Sequence, residues 1–403
     1  MAGKLRYFSQ KVPLRDPIGT SNQYAHTGIR DALIYSQGNA WPPRGRRNSG
    51  GPFLVQHRLL TSQPSDWLSL TLGSGQTTKW RFIPSGGPHG SAITYGAIPN
   101  FDTENAALFS QGATGYRRAR PGNPVANAGQ WLVELRDLPR LPILLYNRLN
   151  WYRNLGSEYL NVEFGWKPFV RDLIKMYETY RQIDRLLAQI VAQNGKGQRR
   201  RRTISDTTTT TTVTTSYPAG ASGFAAFWPS PTTYGGFSAT STRFVTTTIK
   251  EKVWFAAKFR YWIPDTGSSQ WRRSATLALF GLNPTPSLLW EVLPWTWLIG
   301  YFSNFGDVVS NMSSNAVSNL TADYAYVMRE KITTIERVST GKILPTSGYY
   351  QYSGGDFVAQ SADTTIQRGR ARGSPYGFGS TWGSLSGYQQ SILAALGISR
   401  ARF

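Results

Sequence analysis

Four consecutive arginines, Arg199 to Arg202, follow Lys196 and are the residues whose type and spacing most clearly suggest chemistry. A guanidinium is a planar fork of N–H donors that matches phosphate oxygens, and each neutralised phosphate releases counterions. We therefore predict RNA contact at Lys196, Arg199, Arg200, Arg201 and Arg202. Two other interpretations stay open, namely a disordered, solvated charge run or compensation of helix-end carbonyls.

Two further cation sets are candidates for RNA binding. Lys167, Arg171 and Lys175 lie off the apolar positions of a predicted helix, and pairing with nearby acids would make them a solvated face instead. Arg368, Arg370 and Arg372 alternate, so a strand would place all three on one face, about 7 Å apart. That set could bind phosphates or keep an edge strand soluble.

Two arginine groups border proline and are predicted to lie in loops, where recognition residues often occur. They are Arg44, Arg46 and Arg47, and Arg117, Arg118 and Arg120. The interleaved aromatics could stack on bases, although packing is the simpler role for each one singly. These aromatics are Trp41, Tyr95, Phe101 and Tyr116.

Catalytic chemistry has little support. His26, His57 and His89 are solitary, and the sequence contains no HExxH motif, phosphate-binding loop or Gly-x-Ser-x-Gly elbow. Cysteine is absent, which excludes disulfides, thiolate metal sites and cysteine nucleophiles. We therefore expect that the protein is not an enzyme and that it has no metal site and no cofactor.

The composition favours a polyanionic partner. The sequence holds 44 Lys and Arg against 22 Asp and Glu, a net charge of +22. Such an excess attracts nucleic acid or an anionic membrane surface. The amino-terminal residues lack the apolar stretch of a secretion signal, so we expect no export by that route.

The apolar periodicity predicts alternating β and α segments. Residues 1–122 are rich in turn residues and aromatics and are predicted to be extended, whereas helical spacing begins near Asn123. A long helix is predicted from about Trp166 to Gly195. Long strands are predicted over 207–215, 244–262, 323–338 and 349–372, with a final amphipathic helix from about Leu385.

Residues 279–309 form a Trp- and Leu-rich block whose ionisable residues are Glu291 and Asp307. Pro284 and Pro294 predict two helix starts, and a helix is expected from Leu298 through Met312. A membrane span needs about 20 uninterrupted apolar residues, so we expect no stable membrane insertion. The block is predicted to be the neutral interior of a helical bundle.

We therefore predict an α+β fold, with a helical bundle region and a long, projecting antiparallel β-sheet region interleaved along the chain. The β-rich arm is expected to comprise residues 1–122, 203–266 and 321–384. The helical bundle region is expected to comprise residues 123–202, 267–320 and 385–403.

Two motifs resemble those of one known family. Phe164-Gly165-Trp166-Lys167-Pro168, and Gly281-Leu282-Asn283-Pro284 followed by Leu289-Trp290-Glu291, are similar to signatures of the maturation proteins of single-stranded RNA bacteriophages. The chain departs from many relatives at Gly300-Tyr301 and Ser303-Asn304, where an Asp-Trp pair and a turn usually follow.

The resemblance implies a monomeric virion protein, made in the host bacterial cytoplasm, that replaces one coat-protein dimer. It would bind the viral genomic single-stranded RNA, attach to a bacterial pilus through residues that the sequence does not identify, and enter the host with the RNA. Two alternatives stay open. In the first, the chain also, or instead, inhibits a host cell-wall biosynthesis enzyme and causes lysis. In the second, it is a cellular RNA-binding protein.

Overall fold

The computed structural model describes residues 4–13, 26–36, 51–63, 65–66, 68–72, 75, 77–84, 101–126, 128, 167–218, 225–228, 237–283, 285–292, 303–313, 315–317, 319–345, 350–353 and 356–378. Several predictions from the sequence lie outside these residues. They include the Phe164-Gly165-Trp166 part of the first motif, the loop with Arg44, Arg46 and Arg47, the aromatics Trp41 and Tyr95, and the final helix near Leu385.

The described chain contains eleven strands and six helices. The strands are β1 (Lys4–Pro13), β2 (His26–Ser36), β3 (Phe53–Gln63), β4 (Leu68–Leu72), β5 (Thr77–Pro84), β6 (Gln198–Tyr217), β7 (Ala225–Trp228), β8 (Phe237–Arg260), β9 (Thr321–Pro345), β10 (Tyr350–Ser353) and β11 (Phe357–Arg372). The helices are α1 (Phe101–Phe109), α2 (Gly112–Ala119), α3 (Lys167–Gln193), α4 (Ser269–Leu279), α5 (Pro286–Val292) and α6 (Phe305–Met312). The predicted α+β class is therefore confirmed.

The strands form two antiparallel sheets. The large sheet has the order β1-β2-β3-β11-β9-β8-β6, and the small sheet has the order β10-β4-β5-β7. β8 is 24 residues long, about 80 Å at ~3.3 Å per residue, and it pairs with β9 along its whole length. The dense β-branched residues of β6 and β8 favour this extended backbone, as the sequence predicts.

Alternation along β8 divides the large sheet into two faces. Val253, Phe255, Ala257 and Phe259 are buried, as are Val327 of β9 and Ala371 of β11. Leu108 and Ala119 of helices α1 and α2 complete this cluster. Cross-strand partners lie on the same face of a sheet, so these buried residues all belong to one side of the large sheet. We call this side the packed face.

Helices α1 and α2 correct the prediction that residues 1–122 are wholly extended. A Cβ on Gly115 would lie 2.5 Å from the Phe255 side chain, so the helix backbone rests directly on that ring. The Tyr116 ring meets Phe259 edge-on, with centroids 5.2 Å apart. The Gly-rich, aromatic composition that predicts turns is used here for close packing.

A second cluster joins α3 and α4 to the end of β8. Leu187 and Ile190 of α3 pack with Tyr261 and Ala278, and the Tyr261 hydroxyl donates to the Ile190 carbonyl at 2.8 Å. Gly195 ends the α3 segment with a φ of 71°, as its position predicts. In the first half of α3 the predicted apolar face stays exposed, since Val170 is 48 % and Tyr177 63 % accessible.

Helix α6 begins later than predicted. The apolar spacing indicates one helix from Leu298, but Ser303 forms a β-bridge and α6 begins at Phe305, after Asn304. Helices α2 and α5 both contact α6. No helix in the described part of the chain is long and apolar enough to cross a lipid bilayer.

Candidate nucleic-acid interface

Strand β6 divides the four-arginine run between the two faces of the large sheet. Arg200 and Arg202 pair with Ala257 and Phe255, which belong to the packed face. Arg199 and Arg201 pair with Lys258 and Ala256 and therefore point to the opposite side. The run is thus part of a strand rather than a disordered segment.

The side opposite the packed face collects cations from three strands. They are Arg199 and Arg201 of β6, Lys258 and Arg260 of β8, and Arg368, Arg370 and Arg372 of β11. We call this set the cationic face. Arg201, Ala256, Tyr326 and Arg372 lie in one cross-strand row, so Arg201 and Arg372 stand three strand spacings apart, about 14 Å.

Aromatic rings lie between these cations. Trp254 carries the Arg201 guanidinium 4.6 Å from its ring centroid. Tyr324 and Tyr326 of β9 are stacked, with centroids 5.8 Å apart, and Phe53 of β3 lies beyond β11. Such interleaving of rings and cations is the pattern by which proteins hold unpaired nucleotides.

Carboxylates neutralise only part of this charge. Asp323 lies 3.1 Å from Lys258 and 3.7 Å from Arg260, and Glu330 lies 2.5 Å from Arg368. Seven cations therefore face two carboxylates among the described residues of the set. Farther along the same side, Lys252 and Asp206 form a pair of their own at 2.6 Å.

Arg370 is held more firmly than its neighbours on β11. Its Nε and Nη2 atoms donate to the Gly51 carbonyl at 3.0 and 2.6 Å, and its guanidinium lies between the rings of Phe53 and Tyr326. Burial lowers the pKa of Arg370 from its ordinary value. Arg372, by contrast, is exposed. The predicted common strand face of Arg368, Arg370 and Arg372 is confirmed, but the three side chains have different environments.

The remaining predicted RNA-binding residues lie elsewhere. Arg200 is half-buried on the packed side and donates to the Gln198 side chain at 3.0 Å. Its burial, and to a smaller extent the positive charge of Arg202, lowers the pKa of Arg200. Lys196 is exposed in the turn between α3 and β6. Lys167, Arg171 and Lys175 are exposed on α3. Asp184 of α3, which could have neutralised the helix cations, pairs instead with Arg272 of α4 at 2.5 Å.

The prediction that Arg117, Arg118 and Arg120 are loop-borne is wrong for Arg117 and Arg118, which belong to the last turn of α2. Arg120 lies just after that helix, outside any helix or strand as predicted, but it is buried. Phe101 and Tyr116 are likewise helical, and Tyr116 packs against the sheet rather than standing ready to stack on a base.

Sequence reasoning missed the rings of the cationic face. The period of two along β8 and β9 places Trp254, Tyr324 and Tyr326 on the side opposite Phe255 and Val327. Trp254 and Tyr324 are half-buried there, and Tyr326 is buried. The same signal singles out Lys258 and Arg260. No protein-family model matches the chain, and no curated protein matches it either.

Proposed function

We propose that this chain binds single-stranded RNA as the maturation protein of a single-stranded RNA bacteriophage. The observation that carries the RNA-binding part is the cationic face, where seven cations from β6, β8 and β11 surround Trp254, Tyr324 and Tyr326. Cations neutralise phosphates, and the accessible parts of the half-buried Trp254 and Tyr324 rings can stack on unpaired bases of any sequence. The buried Tyr326 supports Tyr324 and Arg370. A duplex offers no unpaired bases to such rings, so a single strand is the better ligand.

The virion role rests on the two motifs of the resemblance and on the architecture. In this proposal the protein is a single-copy virion component that replaces a coat-protein dimer, and its helices gather into one bundle around residues 279–309. The long strands β6, β8 and β9 form an arm that projects from the capsid and attaches to a bacterial pilus. The protein then accompanies the RNA into the cell.

Ultraviolet crosslinking of the protein to a single-stranded RNA, followed by mass spectrometry of the crosslinked peptides, tests the RNA-binding part. We expect crosslinks at Trp254, Tyr324 and the peptide with Arg199 and Arg201. Crosslinks confined to the helical regions would contradict the assignment of the cationic face.

The virion role has a separate test. Coat and replicase genes beside the gene for this chain, together with one copy of the chain per purified virion, would support it. A cellular gene neighbourhood would favour the alternative of a cellular RNA-binding protein and would leave the crosslinking result unaffected.

A further inference from the structure

A polar cavity of about 390 Å³ lies between α2, α6 and the turn that follows α4. It is separate from the cationic face, because α2 covers the packed face of the large sheet. Its size is within the range of small-molecule sites. Three arginines, Arg117, Arg118 and Arg120, line the cavity, and Pro124, Ala278 and Leu288 provide apolar surface.

Arg120 is the buried charge of this cavity, with 5 % of the residue exposed. Its Nε donates to Asn123 Oδ1 at 2.6 Å, its Nη1 to the Ser313 carbonyl at 3.3 Å and its Nη2 to Ser310 Oγ at 3.5 Å. All these acceptors are neutral, and the described ion pairs include none with Arg120. Burial is the main cause that lowers the pKa of Arg120 to about 10, and repulsion from the positive charge of Arg117 is the second.

The other two arginines are fixed in orientation by their partners. Arg118 Nη1 donates to the carbonyls of Thr203 and Ile204 at 3.0 and 2.8 Å, which ties α2 to β6. Arg117 pairs with Asp307 of α6 at 2.8 Å. Among the described residues that line the cavity, Asp307 is the one carboxylate, and the described ion pairs include none with Arg118 or Arg120.

A buried guanidinium surrounded by neutral acceptors is electrostatically unfavourable, so an anion that enters the cavity gains from every arginine there. Phosphate is the anion whose oxygens match several guanidinium forks at once. Hydroxyl and amide groups of Asn283, Thr285 and Ser287 line the same space and can bind the remaining oxygens or a sugar.

We propose that this cavity binds the phosphate of a nucleotide-sized ligand, with Arg117, Arg118 and Arg120 on the phosphate and the apolar lining residues against the rest of the molecule. The ligand is a nucleoside phosphate, either free or as one residue of an RNA chain. The inference goes beyond the RNA surface proposed above, because it concerns different residues on the other side of the sheet.

The test is calorimetric titration of the full chain with adenosine monophosphate and with inorganic phosphate at constant ionic strength. Asp307→Asn removes the carboxylate that competes for Arg117, so we expect binding about tenfold tighter. Arg118→Gln is expected to weaken binding about tenfold. Arg272→Gln, an exposed arginine of α4, removes the same charge elsewhere and is the matched control.

If the arginines have a purely structural role, the unmodified chain should not bind the nucleotide, or it should bind with the same affinity as Asp307→Asn, Arg118→Gln and Arg272→Gln. Either result would overturn the proposal. Tightening by Asp307→Asn is informative even if Arg118→Gln fails to fold. A short single-stranded RNA that displaces the nucleotide identifies the RNA as the source of the phosphate, whereas simultaneous binding identifies a free nucleotide. Loss of RNA binding in cationic-face variants with nucleotide binding intact would separate the two sites.

Discussion

The guanidinium of Arg201 lies over the ring of Trp254, 4.6 Å from its centroid, although 52 positions separate the two residues along the chain. The contact joins diagonal neighbours on β6 and β8. A cation–π contact uses the flat side of the guanidinium and leaves the N–H donors at its edge for a phosphate. In the proposed function, the pair would therefore hold a guanidinium in place for a phosphate beside a ring that can stack on a base.

Two double variants test which side of β6 binds RNA. Arg199→Gln with Arg201→Gln removes two charges from the cationic face, and Arg200→Gln with Arg202→Gln removes two from the packed side. We expect the first to weaken single-stranded RNA binding about tenfold or more and to reduce the salt dependence by about 1.4 in log-log slope. Filter binding at several salt concentrations measures both quantities.

The second double variant is the matched control, because it removes the same net charge from the same strand. Its RNA affinity should fall much less, since those side chains point away from the cationic face. Equal losses in both variants would mean that only total charge matters and would remove the support for a defined RNA surface.

Arg370 and Arg372 are expected to differ in role despite their shared strand face. Arg370→Ala leaves the Gly51 carbonyl without two donors and the rings of Phe53 and Tyr326 without their bridging cation. We expect the free energy of unfolding to fall by about 1–3 kcal/mol in urea titrations. Arg372→Ala should change it by less than about 0.5 kcal/mol and instead weaken RNA binding. The reverse assignment of the two effects would contradict this division.

The periodicity of apolar residues predicts which residues of a strand or helix share a face, because that depends only on the spacing of residues within one segment. The spacing of Arg368 and Arg372 gives their common face, the alternation in β8 gives its buried side, and Gly195 marks the end of the α3 segment. These signals depend on the repeat of a strand or a helix and need no knowledge of the partner strand.

The pairing between distant segments could not be predicted in the same way. Arg370 meets Tyr326 because β11 pairs with β9 in one register, and a shift of one residue would move Tyr326 to the packed face. Likewise, no local signal distinguishes a Gly that makes a turn from Gly115, whose missing side chain lets α2 rest on Phe255. The burial of Arg120 could not be predicted either, because it depends on contact with α6, about 190 residues later.

Gly115→Ala tests the docking of α2. The added methyl group would lie 2.5–2.7 Å from three atoms of Phe255, a side chain in the most buried part of the core. Because the ring has no free space to enter, we expect a loss of about 1–3 kcal/mol in the free energy of unfolding. Gly267→Ala is the matched control, since its new Cβ would meet only Asp265, at 3.9 Å. Equal stability of the two variants in thermal unfolding would contradict the close approach of α2 to the sheet.

Tyr261→Phe should have an effect that depends on pH. The tyrosine is buried, and its hydroxyl donates to the Ile190 carbonyl, so at pH 7 the variant should be less stable by about 1–2 kcal/mol.

Burial raises the pKa of Tyr261 above its ordinary value of 10.0, whereas Gln198 and Arg200 oppose that shift. The folded state then retains a proton that the unfolded state loses, so this stabilisation is complete below pH 10 and declines as pH rises through the folded-state pKa. Urea titrations of both proteins from pH 7 to pH 11 should therefore show the stability difference narrowing above pH 10. A difference that stays constant from pH 7 to pH 11 would contradict the burial of a neutral Tyr261 hydroxyl between α3 and the end of β8.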